Sequence, residues 1–202
     1  MKPIKSVNQL FNKLVKRFLG SSVIQFLGTL LIALSLAGLF YIYFPFIKLF
    51  LFPIPINHDI NRRGYFIEIP KINAYSPIVL DVDPWNKSEY LEKLKSGVAH
   101  AKGTVLPGDV GMSFLFAHSS DLPWNITRYN TVFFLLGSLK IGDEIVIFRD
   151  NEKIGFKVVE IRIVSPYEVS FLKDLSVDQL VLQTCWPIGT DYKRLLIFAE
   201  RV

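Results

Sequence analysis

The pattern of apolar and polar positions divides the chain into two unlike parts. From Phe18 to Ile47 no charged residue interrupts the sequence, and most of that stretch reads SSVIQFLGTLLIALSLAGLFYIYFPFI. About 20 apolar residues suffice to cross the hydrocarbon core of a bilayer. The run also lacks the polar face that a surface helix of a globular domain carries. It predicts one transmembrane helix over 18–52. A polar, proline-bearing linker follows over 53–64.

From Tyr65 onward the spacing is that of a mainly β domain. Tyr65–Ile69 alternates apolar and polar residues ahead of Pro70, as a half-buried strand does. Pro77–Leu80 predicts a second strand. Met112–Ala117 is a compact apolar run of the kind buried on both faces. Glu144–Phe148, Ile154–Val164, Gln179–Thr184 and Leu195–Arg201 complete the strands, separated by Gly, Asp, Asn and Pro signals. Tyr90, Leu91 and Leu94 at helical spacing predict a short helix over Asn86–Leu94, with Asp83 or Asn86 as its cap. Thr131–Leu136 predicts one or two further helical turns. Many short strands with few helices point to a barrel or a sandwich rather than a parallel α/β sheet.

Charge sharpens the division. The net charge of +5 would suit a nucleic-acid binder, but its placement does not. No Asp or Glu precedes Asp59, whereas Lys2, Lys5, Lys13, Lys16, Arg17 and Lys48 all do. Residues 59–202 hold 17 basic against 18 acidic residues, so the domain itself is near neutral. A nucleic-acid partner would require the cations on the domain, and that class is set aside. Five of the six N-terminal cations lie before the apolar run, which by the positive-inside rule keeps residues 1–17 cytoplasmic. The rest is then expected outside the cytoplasm. The run is too long for the apolar stretch of a cleaved signal peptide, and no A-x-A site follows it. It reads as an uncleaved signal anchor in the lipid bilayer.

The chain has a single cysteine, Cys185. With no internal disulfide, the fold must rest on its core. A lone cysteine is ordinarily a small buried hydrophobe; its position here suggests a use. Cys185 closes the apolar run Leu180–Leu182, Pro187 and Gly189 impose a turn, and Arg194 opens the next apolar run. Antiparallel strands joined by that short loop would bring Cys185 and Arg194 to one end of a sheet. His118 likewise sits just after a buried strand. A thiol works as a nucleophile through its thiolate, which a base or cation beside it favours.

These residues also carry a resemblance. Leu182-Gln183-Thr184-Cys185, with Pro187 and then Arg194 nine residues past the cysteine, resembles the T-L-x-T-C…R signature of sortases. Ile67-Glu68-Ile69-Pro70-Lys71-Ile72 is similar to the first strand of that family. Gly97-Val98-Ala99-His100, with Gly103-Thr104 and Pro107-Gly108, is similar to its G-V-x-H…G-T…P-G stretch. Phe116-Ala117-His118-Ser119 stands where the family has its catalytic histidine, and Leu139-Lys140-Ile141-Gly142-Asp143-Glu144 also matches in kind. The landmarks occur in family order from Tyr65 to Val202. Two positions depart: Ala117 replaces the usual glycine before the histidine, and Val181 replaces the first threonine of the signature. Asp83-Pro84-Trp85 is similar to a lid motif of pilus-building sortases, but a lid precedes the first strand. This tripeptide reads instead as a turn before a helix.

The resemblance implies a closed eight-stranded β-barrel with short helices over 65–202. It implies a cysteine transpeptidase acting on secreted proteins that carry an L-P-x-T-G-type motif near their C-terminus. The Cys185 thiolate would form a thioacyl enzyme, and His118 would serve as acid and then base. Arg194 would hold the substrate or its oxyanion, and Thr184 would add a substrate contact. The acceptor would be an amine, from a cell-wall (peptidoglycan) precursor or a pilin lysine. His100 matches a position of the family that is structural rather than catalytic. No cofactor is expected, and one Cys with three scattered His draws no transition-metal cage; a Ca2+ site built from carboxylates, as in some sortases, stays open. The N-x-T triplet at Asn125 carries no weight. An L,D-transpeptidase would place His and Gly directly before the Cys, where this chain has Gln183-Thr184. A catalytically idle barrel serving as a structural or adaptor domain would have lost the Cys, His or Arg.

Overall fold

The computed structural model describes residues 4–51, 64–119, 132–150 and 152–202. The chain divides into two compact units, Met1–Lys48 and Leu49–Val202. In the first, α1 runs Ile4–Leu51, so the helix begins earlier than the apolar run alone predicts. Its stretch Ser22–Phe44 has a mean hydropathy of 2.2 and is long and apolar enough to cross a membrane. The linker expected over 53–64 lies outside the described residues except for Gly64, as do Asn125 and Thr131.

The second unit is a closed eight-stranded barrel: β1 Tyr65–Ile69, β2 Ala74–Val82, β3 Val98–Ala101, β4 Met112–Phe116, β5 Glu144–Arg149, β6 Glu152–Val164, β7 Gln179–Trp186 and β8 Lys193–Arg201. Around the barrel they run β1-β2-β3-β4-β7-β8-β6-β5, and β5 closes back onto β1. The β2–β3 and β4–β7 pairs are parallel and the others antiparallel. Closure leaves no open sheet edge to protect. Side chains such as Ile67, Ile69, Ile145, Ile147, Leu180, Leu182 and Ile197 are fully buried in the core.

One strand escapes the hydrophobic pattern. All four residues of β3, Val-Ala-His-Ala, are buried, so no polar position alternates to reveal a strand. Gly97 permits its approach to β2, because a β-carbon there would run into the Pro77 carbonyl oxygen. The strand foreseen at Pro77–Leu80 is the centre of the longer β2. The helix falls as expected: α2 spans Lys87–Lys93, and the Asn86 side chain accepts the Glu89 amide at its start. Asp83 makes the turn before it, its carboxylate accepting the Trp85 amide at 2.9 Å. A 3-10 turn at Leu136–Ser138 follows the apolar segment Val132–Leu135.

His100 of β3 is fully buried and tied into this framework. The Asp81 amide donates to its Nδ1 (3.4 Å), so the proton sits on Nε2, which donates to the Val105 carbonyl at 3.0 Å. Burial, only partly opposed by the Val105 bond, holds its pKa below the ordinary value. Below about pH 6.5 the unfolded chain takes up a proton that the folded chain refuses, so stability falls as pH drops through that range. Full-length protein in detergent should therefore lose more melting temperature between about pH 7.5 and about pH 5.5 than its His100→Gln variant. An equal loss in the two proteins would clear His100 of this role.

Candidate functional site

Three adjacent strands set the site. In the antiparallel pair β7–β8, Cys185 stands directly opposite Arg194. In the parallel pair β4–β7, Phe114 faces Val181 and Phe116 faces Gln183. His118 follows two residues after Phe116, just past the end of β4, as Cys185 follows two residues after Gln183. The strand order β4-β7-β8 thus sets Cys185 one strand spacing, about 4.8 Å in the backbone, from Arg194, while His118, past the end of β4, lines the same cleft as both.

Alternation along β7 puts Val181, Gln183 and Cys185 on one face and Leu180, Leu182 and Thr184 on the other. On that face the next row is Phe116, Gln183 and Leu196, and below it lie Phe114, Val181 and Phe198, capped by Phe171 from the β6–β7 connection. Its ring lies 5.4 Å from Phe114 and 6.2 Å from Phe198. Tyr90 of α2 meets Phe116 edge-on at 6.0 Å. These aromatic contacts anchor two walls over the sheet, α2 on one side and Ser165–Val169 on the other. Between them opens a cleft of about 800 Å³ lined by His118, Cys185 and Arg194. Its rim carries the exposed rings of Trp85, Tyr167 and Tyr192. No periodicity marks these three, since each lies in a loop whose path depends on the folded walls.

Electrostatics distinguishes Arg194 from its fellows. Arg149, Arg162 and Arg201 each pair with a carboxylate. Among the described residues no carboxylate pairs with Arg194; its Nη1 donates to the backbone carbonyls of Asp191 (2.9 Å) and Lys193 (3.0 Å). The fork is held by its own loop while its charge stays available to the cleft. Burial pushes the Cys185 thiol above its ordinary value; the Arg194 cation pulls it down and Asp191 pushes it up. At neutral pH the resting sulfur is therefore mainly the thiol.

Thr184 stands apart from the cleft. Its side chain is buried, and its hydroxyl donates to the Ala117 carbonyl at 2.9 Å. The Ala117 amide in turn donates to the Gln183 carbonyl at 3.1 Å. The structure thus gives that hydroxyl to a strap between the residue before Cys185 and the residue before His118.

The sortase-domain family model matches residues 67–202, more than half of the chain. The chain belongs to the sortase family. Sortase D of Bacillus subtilis (strain 168) is 30% identical to it over 148 residues, which cover 71% of this chain and 66% of that relative. The chain thus spans just under two thirds of that relative's length. Among solved structures, a lid mutant of sortase A from Corynebacterium diphtheriae superposes with a TM-score of 0.58 at 28% identity, covering 72% of this chain and 73% of that one. Sortase C of Clostridium perfringens, solved with the C-terminal cell wall sorting motif, gives a TM-score of 0.54 at 33% identity, covering 68% and 69%. Sortases are cysteine transpeptidases, and the closed barrel found here is the sortase fold.

Proposed function

We propose that this sortase cleaves a C-terminal L-P-x-T-G-type sorting motif through a thioacyl intermediate on Cys185 and passes the acyl group to an amine. The observation that carries the reading is the meeting of His118, Cys185 and Arg194 in the lining of a single cleft, with Cys185 directly opposite Arg194. In the first half-reaction the Cys185 thiolate adds to the carbonyl carbon of the scissile Thr–Gly bond. The C–N bond then breaks, and the glycine amine leaves with a proton from His118. In the second, an incoming amine loses a proton to His118, attacks the thioester and releases the thiolate. Arg194 stabilises the oxyanion of both tetrahedral steps, or holds the substrate backbone beside it, through donors that never lose their charge.

The substrate class rests on the family and on the Clostridium perfringens sortase C solved with the C-terminal cell wall sorting motif. The acceptor is a cell-wall precursor amine or a pilin lysine. The layout follows the charge map: residues 1–17 cytoplasmic, an anchor over 18–52, a linker over 53–64 and an extracytoplasmic catalytic domain over 65–202. The apolar stretch of α1 supports the anchor, and the cations before it support the orientation.

The test is intact-mass spectrometry of the full-length protein in detergent, mixed with an L-P-x-T-G peptide under single-turnover conditions. The expected result is a mass increase equal to the acyl fragment ending in threonine, mapped to Cys185. Active protein with an adduct on another residue would overturn the reading. Thr184 offers a finer check. Thr184→Val removes the hydroxyl at constant shape and should lower kcat/KM by about tenfold, because a small misplacement between nucleophile and acid is costly. Thr184→Ser, which can restore the bond to Ala117, should recover most of it; equal activity in the two variants would deny the strap.

A further inference from the structure

Trp186 directly follows Cys185 and ends β7, half-buried against the core. The six-membered ring of its indole rests on Gly137, in the 3-10 turn Leu136–Ser138. A β-carbon at position 137 would lie 2.5 Å from Cζ3 and 2.9 Å from Cη2 of that ring. Real β-carbons do not approach so closely, so either the turn or the indole would have to move. The turn is poorly placed to yield. Phe133 and Leu136 are fully buried and Leu139 nearly so, which pins the segment on both sides of the glycine into the core. The Ser138 amide also donates to the Leu135 carbonyl at 2.9 Å, and the Leu139 amide to that of Leu136 at 3.2 Å. The indole is the softer partner, and it hangs from the residue bonded to Cys185.

We infer that Gly137 is a positioning residue for the nucleophile, setting the place of Cys185 by admitting the Trp186 ring against the backbone of a rigid turn. The inference rests on the reading of Cys185 as the nucleophile. It differs from the Thr184 strap, which ties β7 to β4. Gly137 and Trp186 seat the far end of β7, beyond the cysteine, on a segment that belongs to neither strand. The cysteine is thus located from both sides, by Thr184 before it and Trp186 after it.

The experiment compares full-length wild type, Gly137→Ala, Trp186→Leu and the double variant in detergent. The readouts are kcat and KM on an L-P-x-T-G peptide and the pH midpoint of Cys185 alkylation by iodoacetamide. Leucine is too short to reach the points that Cζ3 and Cη2 occupy, so the double variant relieves the clash. Gly137→Ala should cut kcat by roughly ten- to a hundredfold with little change in KM, as misplacement of a reacting atom does. Its alkylation midpoint should leave the wild-type value. The double variant should be more active than the product of the single effects, because the two residues act through one contact. If Gly137→Ala does not fold, Trp186→Leu carries the test: the ring's seat is lost and kcat must fall with KM retained. Undiminished turnover in the folded single variants, or strict additivity in the double, overturns the inference. Wild type that forms no thioacyl adduct fails the reading instead, and the alkylation midpoints, which need no peptide, still report on Gly137.

Discussion

Cys185→Ala leaves a folded barrel that no longer cleaves the sorting peptide. The substitution removes one half-buried sulfur atom. Its cost to stability should be about 1 kcal/mol, typical of a point change. The loss in rate is of another order. Without the sulfur no thioester forms, and the remaining groups cannot split one difficult step into two easier ones. Removal of a nucleophile of this kind has cost on the order of a millionfold in kcat, below the detection of a peptide assay. The measurement pairs a melting curve with turnover of an L-P-x-T-G peptide by the full-length chain. A variant that melts near wild type and is inactive matches expectation, while residual turnover near the wild-type rate would move the nucleophile elsewhere. The resting thiol gives a second handle on the same residue. Because burial holds Cys185 mainly protonated at neutral pH, alkylation of the wild type should quicken as pH rises from about 7 to about 9, in step with the thiolate fraction.

The pairing at the centre of this site was legible because strand ends are legible. Apolar runs that stop at Ala117 and Leu182 and resume at Leu195 locate three strands without any structure. A turn of Pro and Gly between two of them predicts the juxtaposition of Cys185 and Arg194 that the β7–β8 register realises. The parallel partnership of β4 with β7 is another matter. It depends on a chain reversal elsewhere in the barrel, so local pattern could place His118 at a strand end but not in one cleft with Cys185. β3 stayed hidden for the opposite reason, since burial on every face erases alternation. The place of the Thr184 hydroxyl was not legible either: neighbours along a strand point to opposite faces, and only the arrival of β4 beside β7 supplies the Ala117 carbonyl that this hydroxyl meets. In sequence Gly137 reads only as the close of the helical turns at Thr131–Leu136; its backbone angles are ordinary, and the arrival of Trp186 from a distant strand is what demands a glycine there.

Replacing Arg194 should separate two functions that its charge and its shape perform. Arg194 lowers the Cys185 pKa against the larger opposing effect of burial. Arg194→Ala therefore raises that pKa further, shrinks the thiolate fraction at any pH near neutral and slows alkylation of the wild-type sulfur by iodoacetamide. Arg194→Lys keeps a cation on the same strand, so alkylation should stay close to wild type. Turnover should not follow. Lysine offers a compact ammonium on a flexible stem in place of a planar fork. It also has a single nitrogen with which to hold the carbonyls of Asp191 and Lys193 and face the cleft at once. Loss of a donor aimed at a developing oxyanion costs about 10²–10³ in kcat, and Arg194→Lys should pay that cost with its thiol reactivity intact. The paired readout decides between roles: slow alkylation and slow turnover together in the lysine variant would make Arg194 a tuner of the thiol alone. Normal alkylation with turnover reduced by two to three orders of magnitude assigns the fork to the transition state.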